Sequence, residues 1–218
     1  MSNLAAIRDR LEATLQDASN TLWSTDDLDE AIRRALEEYS LVDPLETITT
    51  VTLSTSGREV DISAITGRIQ VTRAWWPYTS TDPEYPPNWC TFEEWDDILF
   101  IDTPTEPDAA DVVRIWYSSL QTIEDLDSAT ATTLKGAAEA MIVTGAAGFA
   151  AQQRAIELAE ELNVDHDVAE RLSLYAAAML EKFVRNLQQR ARQLAAQASG
   201  IARAPRLDRW DQLDDEGW

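Results

Sequence analysis

One cysteine, one histidine and two lysines are all that 218 residues supply of three chemically useful side chains. Cys90 alone excludes an intrachain disulfide and leaves the compartment open, with the cytosol as default. His166 alone gives no support to a Ser–His–Asp or Cys–His relay, and a metal site built on His and Cys fails by count. No run of about eighteen apolar residues occurs, so no membrane span is expected. The N-terminal stretch MSNLAAIRDRLEATLQ lacks a basic region followed by an apolar core, so no secretory leader is expected either. Neighbouring carboxylates such as Glu93/Glu94 and Asp96/Asp97 arise by chance in so acidic a chain. The stretch 82–97 also lacks the central glycine of a calcium loop. No catalytic, cofactor-binding or metal-ligating set emerges, and no enzyme is expected.

What is abundant is acid. The net charge is −21, from 39 Asp and Glu against 18 bases, and Lys135 and Lys182 are the lysines among them. These acids are spread through folded-looking sequence, which argues against free duplex DNA as a ligand of the whole molecule. Two readings remain open. A carboxylate-dense surface stays soluble where molar salt screens repulsion, as in a halophilic host. Alternatively, the acids line a channel that DNA traverses without sticking.

Hydropathy divides the chain into four parts. Residues 1–44 hold a helix pair. Leu4, Ile7, Leu11 and Leu15 stripe the first helix, and STDDLDEAIRRALEEYS forms the second. Ser24 is its cap with Asp27 three residues on; Leu28, Ile32, Ala35, Leu36 and Tyr39 make its apolar face. Asp29/Arg33, Glu30/Arg34, Arg33/Glu37 and Arg34/Glu38 are spaced for i,i+4 pairing on the other face.

Residues 45–126 change period and read as a β-rich insertion. TITTVTLS and REVDIS alternate around TSG, the pattern of a hairpin. GRIQVTRAWWPY, ILFID and DVVRIWYSS supply further strands. Between them, residues 79–97 carry prolines and acids that predict a loop bearing Trp89 and Trp95. The tryptophans of this region either pack the small sheet or, around Trp89, present a contact to another chain.

Residues 127–199 return to helix, as a long C-terminal pair. Gly145 and Gly148 lie within an apolar, Ala-rich helix beside Phe149, which signals close approach of another helix rather than a phosphate loop. After a break at NVDHD, with Asp165 or Asp167 as cap, the stripe Val168, Leu172, Tyr175, Met179, Phe183, Leu187 and Leu194 marks the last helix. Residues 200–218 form an extended tail. It folds back on its own helices or docks on a neighbour, and its contents favour docking: Arg203, Arg206 and Arg209 to meet carboxylates, with Leu207, Trp210, Leu213 and Trp218 as apolar anchors. The fold class expected is mainly α: a bundle of about four helices with an inserted antiparallel β unit and an extended tail.

The order of LWSTDDLDEAIRRALEEYS, a β-rich insertion, ATTLKGAAEAMIVTGAAGFAAQQRAI and DVAERLSLYAAAMLEKFVRNLQQRARQ resembles the head–tail adaptor (connector, or neck) proteins of tailed viruses. The likeness covers residues 3–42 and 127–199, not the insertion. It implies a structural virion protein of the neck, made in the host cytoplasm and assembled as a closed ring of about twelve copies. Its partners would be further copies of itself, a portal protein, a stopper or tail-completion protein, and genomic double-stranded DNA passing through without sequence-specific binding. No cofactor and no membrane enter. The acidic, Lys-poor composition fits a virus of a halophilic archaeon. The competing reading is a cellular helical scaffold or regulatory interaction protein with a β insertion.

Overall fold

The structure is a computed structural model that describes residues 2–17, 19, 21–81, 87–160 and 166–201. Its first elements follow local chemistry. In α1 (Leu4–Leu15), the Asn3 side chain caps by accepting from the Ala6 amide, and Leu4, Ile7 and Leu11 are buried. In α2 (Thr25–Val42), Ser24 and Asp27 form a reciprocal capping box. Leu28, Ile32, Ala35, Leu36 and Tyr39 are buried along one face. The i,i+4 pairs expected on the other face give way to longer reach. Arg33 pairs with Glu30 and Asp127, Asp29 takes a bidentate contact from Arg8 of α1, and Arg34 lies 4.3 Å over the Phe149 ring. The Arg8–Asp29 pair is the best shielded of these, and its bidentate geometry is worth more than a solvated i,i+4 contact.

Six strands follow: β1 (Leu45–Thr52), β2 (Glu59–Asp61), β3 (Arg68–Trp75), β4 (Trp89–Trp95), β5 (Ile98–Asp102) and β6 (Val112–Ser119). They form one antiparallel sheet in the order β1-β6-β3-β4-β5-β2. Two expectations fail here. β1 and β2 are not a hairpin: β1 pairs with β6, β2 pairs with β5, and the two lie at opposite edges. The stretch expected as a loop contains β4, which starts two residues after Pro87, where the missing proline N–H no longer interrupts pairing. β4 and β5 are joined by the tight Asp96–Asp97 turn, with Asp96 in the left-handed region at φ 52°. The curled sheet encloses its own core of Val60, Ile62, Val71, Leu99, Ile101, Val113 and Ile115. Arg68, only 10% exposed, ties it across, donating to Glu94 and to the carbonyls of Ile62 and Asp96.

The chain then returns to helix in α3 (Gly136–Glu160) and α4 (His166–Ile201). They share a second core with α1, α2 and the linking Ile123, Leu126 and Leu134. Gly145 lies beneath Phe183, whose ring would stand 3.0 Å from an added Cβ. Gly148 lies beneath Leu180, at 2.8 Å from the side chain and 3.1 Å from the backbone nitrogen. Phe149 meets Phe183 edge-on at 6.2 Å, Leu172 packs on the same core, and Met179 is half-buried. Val168, expected in the buried stripe, is 44% exposed, and Ala169 and Ala176 take the contact instead. Helix α4 also runs past residue 199 to Ile201, and Arg190 on it pairs with Asp43 at the foot of β1.

The mainly helical expectation is therefore corrected. Beside the four helices, the six strands form a half-barrel with a core of its own, separate from the helical one. The molecule is mixed α/β, not a bundle with a small insert. Asp165, proposed as a cap, and the tail residues Arg203, Arg206, Leu207, Arg209, Trp210, Leu213 and Trp218 lie outside the described residues.

Candidate interaction surface

Two short runs share one pattern: Arg73-Ala74-Trp75 on β3 and Arg114-Ile115-Trp116 on β6. Alternation sends the middle residue of each into the sheet core, where Ala74 and Ile115 are buried, and sends Arg and Trp to the outer face. A bulge between Val71 and Arg73 sets this phase. Antiparallel register then opposes Arg73 to Trp116 and Trp75 to Arg114, so each arginine faces the other strand's indole.

β4 adds a third member. Trp89 pairs with Trp75, and its ring lies 6.2 Å from Trp75 and 5.0 Å from Trp116. Trp75 and Trp116 stack at 6.3 Å with 15° between planes, and Tyr78 meets Trp75 edge-on at 5.1 Å. Both guanidinium groups use the rings. Arg73 lies 5.3 Å over Trp89; Arg114 lies 4.9 Å over Tyr78 and 5.1 Å over Trp116, and donates to the Tyr78 hydroxyl at 2.9 Å. Two donors inside the cluster, Trp75 Nε1 and Arg114 Nε, are buried without a partner.

The cluster is rigid at its centre and open at its rim. Trp75 is 6% exposed, whereas Trp89 is 46% exposed. Farther along β4, Trp95 stands 68% exposed on the same face, beside Ile98 at 42%. Large apolar side chains held on a sheet, ringed by charge and with arginine among them, have the make-up of interface anchors. Cys90, between these tryptophans in sequence, faces the other side; burial raises its thiol pKa, so it stays protonated.

Of the residues singled out by sequence, Trp89 belongs to this surface, while Gly145, Gly148, Phe149, Leu28, Ile32, Leu36, Tyr39, Leu172, Met179 and Phe183 belong to the helical core and its edge. Sequence reasoning included Trp75 and Trp116 only among the rings of the sheet and passed over Arg73, Tyr78 and Arg114. The repeated Arg-x-Trp run was the available signal. Among the described residues no group of three His, Cys, Asp or Glu side chains is placed to hold a metal ion, and no helix is long and apolar enough to cross a membrane. The chain matches no protein-family model and no curated protein.

Proposed function

We propose that the chain is a structural assembly subunit, a head–tail adaptor of a tailed virus, that forms a ring below the portal and seats the next neck or tail component. The observation that carries this reading is the open aromatic–arginine face. It presents Trp89 and Trp95 to solvent on a sheet whose interior is already filled. The likeness of residues 3–42 and 127–199 to neck proteins supplies the class of assembly. The acidic surface suits a channel that duplex DNA passes without adhering, or a host of high internal salt.

Negative-stain imaging of the purified chain, alone and mixed with a cognate portal, tests the proposal. Rings, or portal-bound rings, are expected. A chain that stays monomeric or dimeric with the portal present overturns the adaptor reading and favours a cellular scaffold. At about 2 kcal/mol per aromatic anchor, Trp89→Ala is expected to weaken assembly roughly thirtyfold without unfolding the sheet, as read by sedimentation and circular dichroism.

A further inference from the structure

Arg73 and Arg114 differ from the arginines whose ion pairs tie the fold together. Most arginines of the described residues find a carboxylate, as Arg8 does in Asp29, Arg10 in Glu139 and Arg190 in Asp43. These two, in a chain of net charge −21, contact aromatic rings and a tyrosine hydroxyl, with no carboxylate among the described residues. Trp75 Nε1 and Arg114 Nε are also buried without an acceptor. Such a face asks for an acidic segment that also carries large apolar side chains.

The chain itself contains one. Residues 211–218 read DQLDDEGW, with Asp211, Asp214, Asp215 and Glu216 interleaved with Leu213 and Trp218. Helix α4, anchored at Arg190 to the foot of β1, ends at Ile201. Ten residues can span up to about 35 Å at full extension, enough for residue 211 to reach an adjoining subunit from Ile201. We infer that residues 211–218 of one copy dock on the Arg73–Trp89–Arg114 face of the next. Carboxylates pair with the two guanidinium groups, and Trp218 lies against the open edge of Trp89. The inference rests on the assembly reading above and supplies what a closing ring needs, two unlike complementary surfaces on each chain. Arginine forks already held flat by aromatic rings lose little freedom when they bind carboxylates.

The test uses the full-length chain with p-benzoylphenylalanine at Thr91, an exposed outer-face position two residues from Trp89. Equal amounts of isotopically light and heavy protein are mixed, irradiated and digested. Mixed light–heavy cross-links from position 91 to peptides containing residues 211–218 are expected. Arg73→Glu with Arg114→Glu should cut their yield at least about tenfold, and adding Asp214→Arg with Asp215→Arg should restore it. Cross-links confined to one copy, or to any other segment, overturn the inference, and the cross-link map does so without any charge variant having to fold. Rings on the portal without tail cross-links sink this inference and leave the adaptor reading intact. Tail cross-links without portal binding do the reverse.

Discussion

Asp17, at the turn between α1 and α2, is a small example of how one carboxylate organises several residues. It accepts from the Thr21 hydroxyl at 2.7 Å, and from the amides of Thr21, Leu22 and Trp23 at 3.0, 2.7 and 3.2 Å. The Thr21 hydroxyl contributes most, and against the opposing effect of burial these bonds hold its pKa down at about 2. The folded-state pKa lies below the ordinary aspartate value of 3.8, so the ionised form is favoured by folding. That contribution is complete above about pH 4 and disappears as pH falls toward 2. Asp17→Ala is therefore expected to melt below wild type at pH 7, with the gap closing between about pH 4 and 2 in paired thermal melts. A constant gap across that range would mean that packing around Trp23, not the carboxylate charge, holds the turn. Glu139 shows the same balance in another setting. Burial acts to raise its pKa, but hydrogen bonds from Ser2 and Arg10 prevail and lower it.

At the scale of elements, the contact of α3 with α4 is the sharpest test. Alanine usually gains about 1 kcal/mol over glycine inside a helix. At Gly148 the new Cβ would meet the Leu180 side chain at 2.8 Å and its backbone nitrogen at 3.1 Å, and backbone cannot rotate away. Gly148→Ala is expected to destabilise by roughly 1–3 kcal/mol and Gly148→Leu by more, measured by denaturant unfolding. Stabilisation by alanine would mean that the helices part more easily than the packing implies. Both glycines were readable in advance because a helix-breaking residue inside an apolar helix has few physical reasons to be there. The cap at Ser24 and the stripe of α2 were legible for a similar reason, since they depend on neighbours within four residues. The sheet was legible only as strands. β1 alternates as a half-buried strand should, but its partner β6 lies beyond all the other strands in sequence, and alternation says nothing about who pairs with whom. β4 was hidden by Pro86 and Pro87, which precede it without entering it. The candidate surface was half legible. Trp89 stood out as a large exposed ring, but only strand pairing brings Arg73 opposite Trp116 and Arg114 opposite Trp75.

For the whole molecule, charge dominates. At −21, self-repulsion opposes any compact state, and the ion pairs that do form, such as Arg33 with Asp127, use up a limited supply of bases. Between about 0.1 and 2 M KCl the Debye length falls from about 10 Å to below 3 Å. The melting temperature is expected to rise by roughly 5 °C or more over that range. A flat curve by calorimetry would rule out adaptation to high salt and leave the channel-lining account of the acids. Arg73 and Arg114 form a local exception to this surface, which is why partners of like composition can still meet there.

The pairing of Leu45 with Ser119 has a consequence for how the chain folds as it is made. That register brings the end of α2 and the segment leading to α3 out of the sheet side by side. The helical core takes residues from before and after the sheet in sequence, so forming it without the sheet means closing a long loop. Closing a free loop of that length would cost about 4 kcal/mol in chain entropy. The finished half-barrel removes most of that cost and acts as a rivet between two distant halves of the polypeptide. Synthesis runs in the same order. All six strands leave the ribosome before α3, while α1 and α2 wait with an apolar face uncovered. Anything that slows β1 from finding β6 therefore lengthens the interval in which that face is open to other nascent chains.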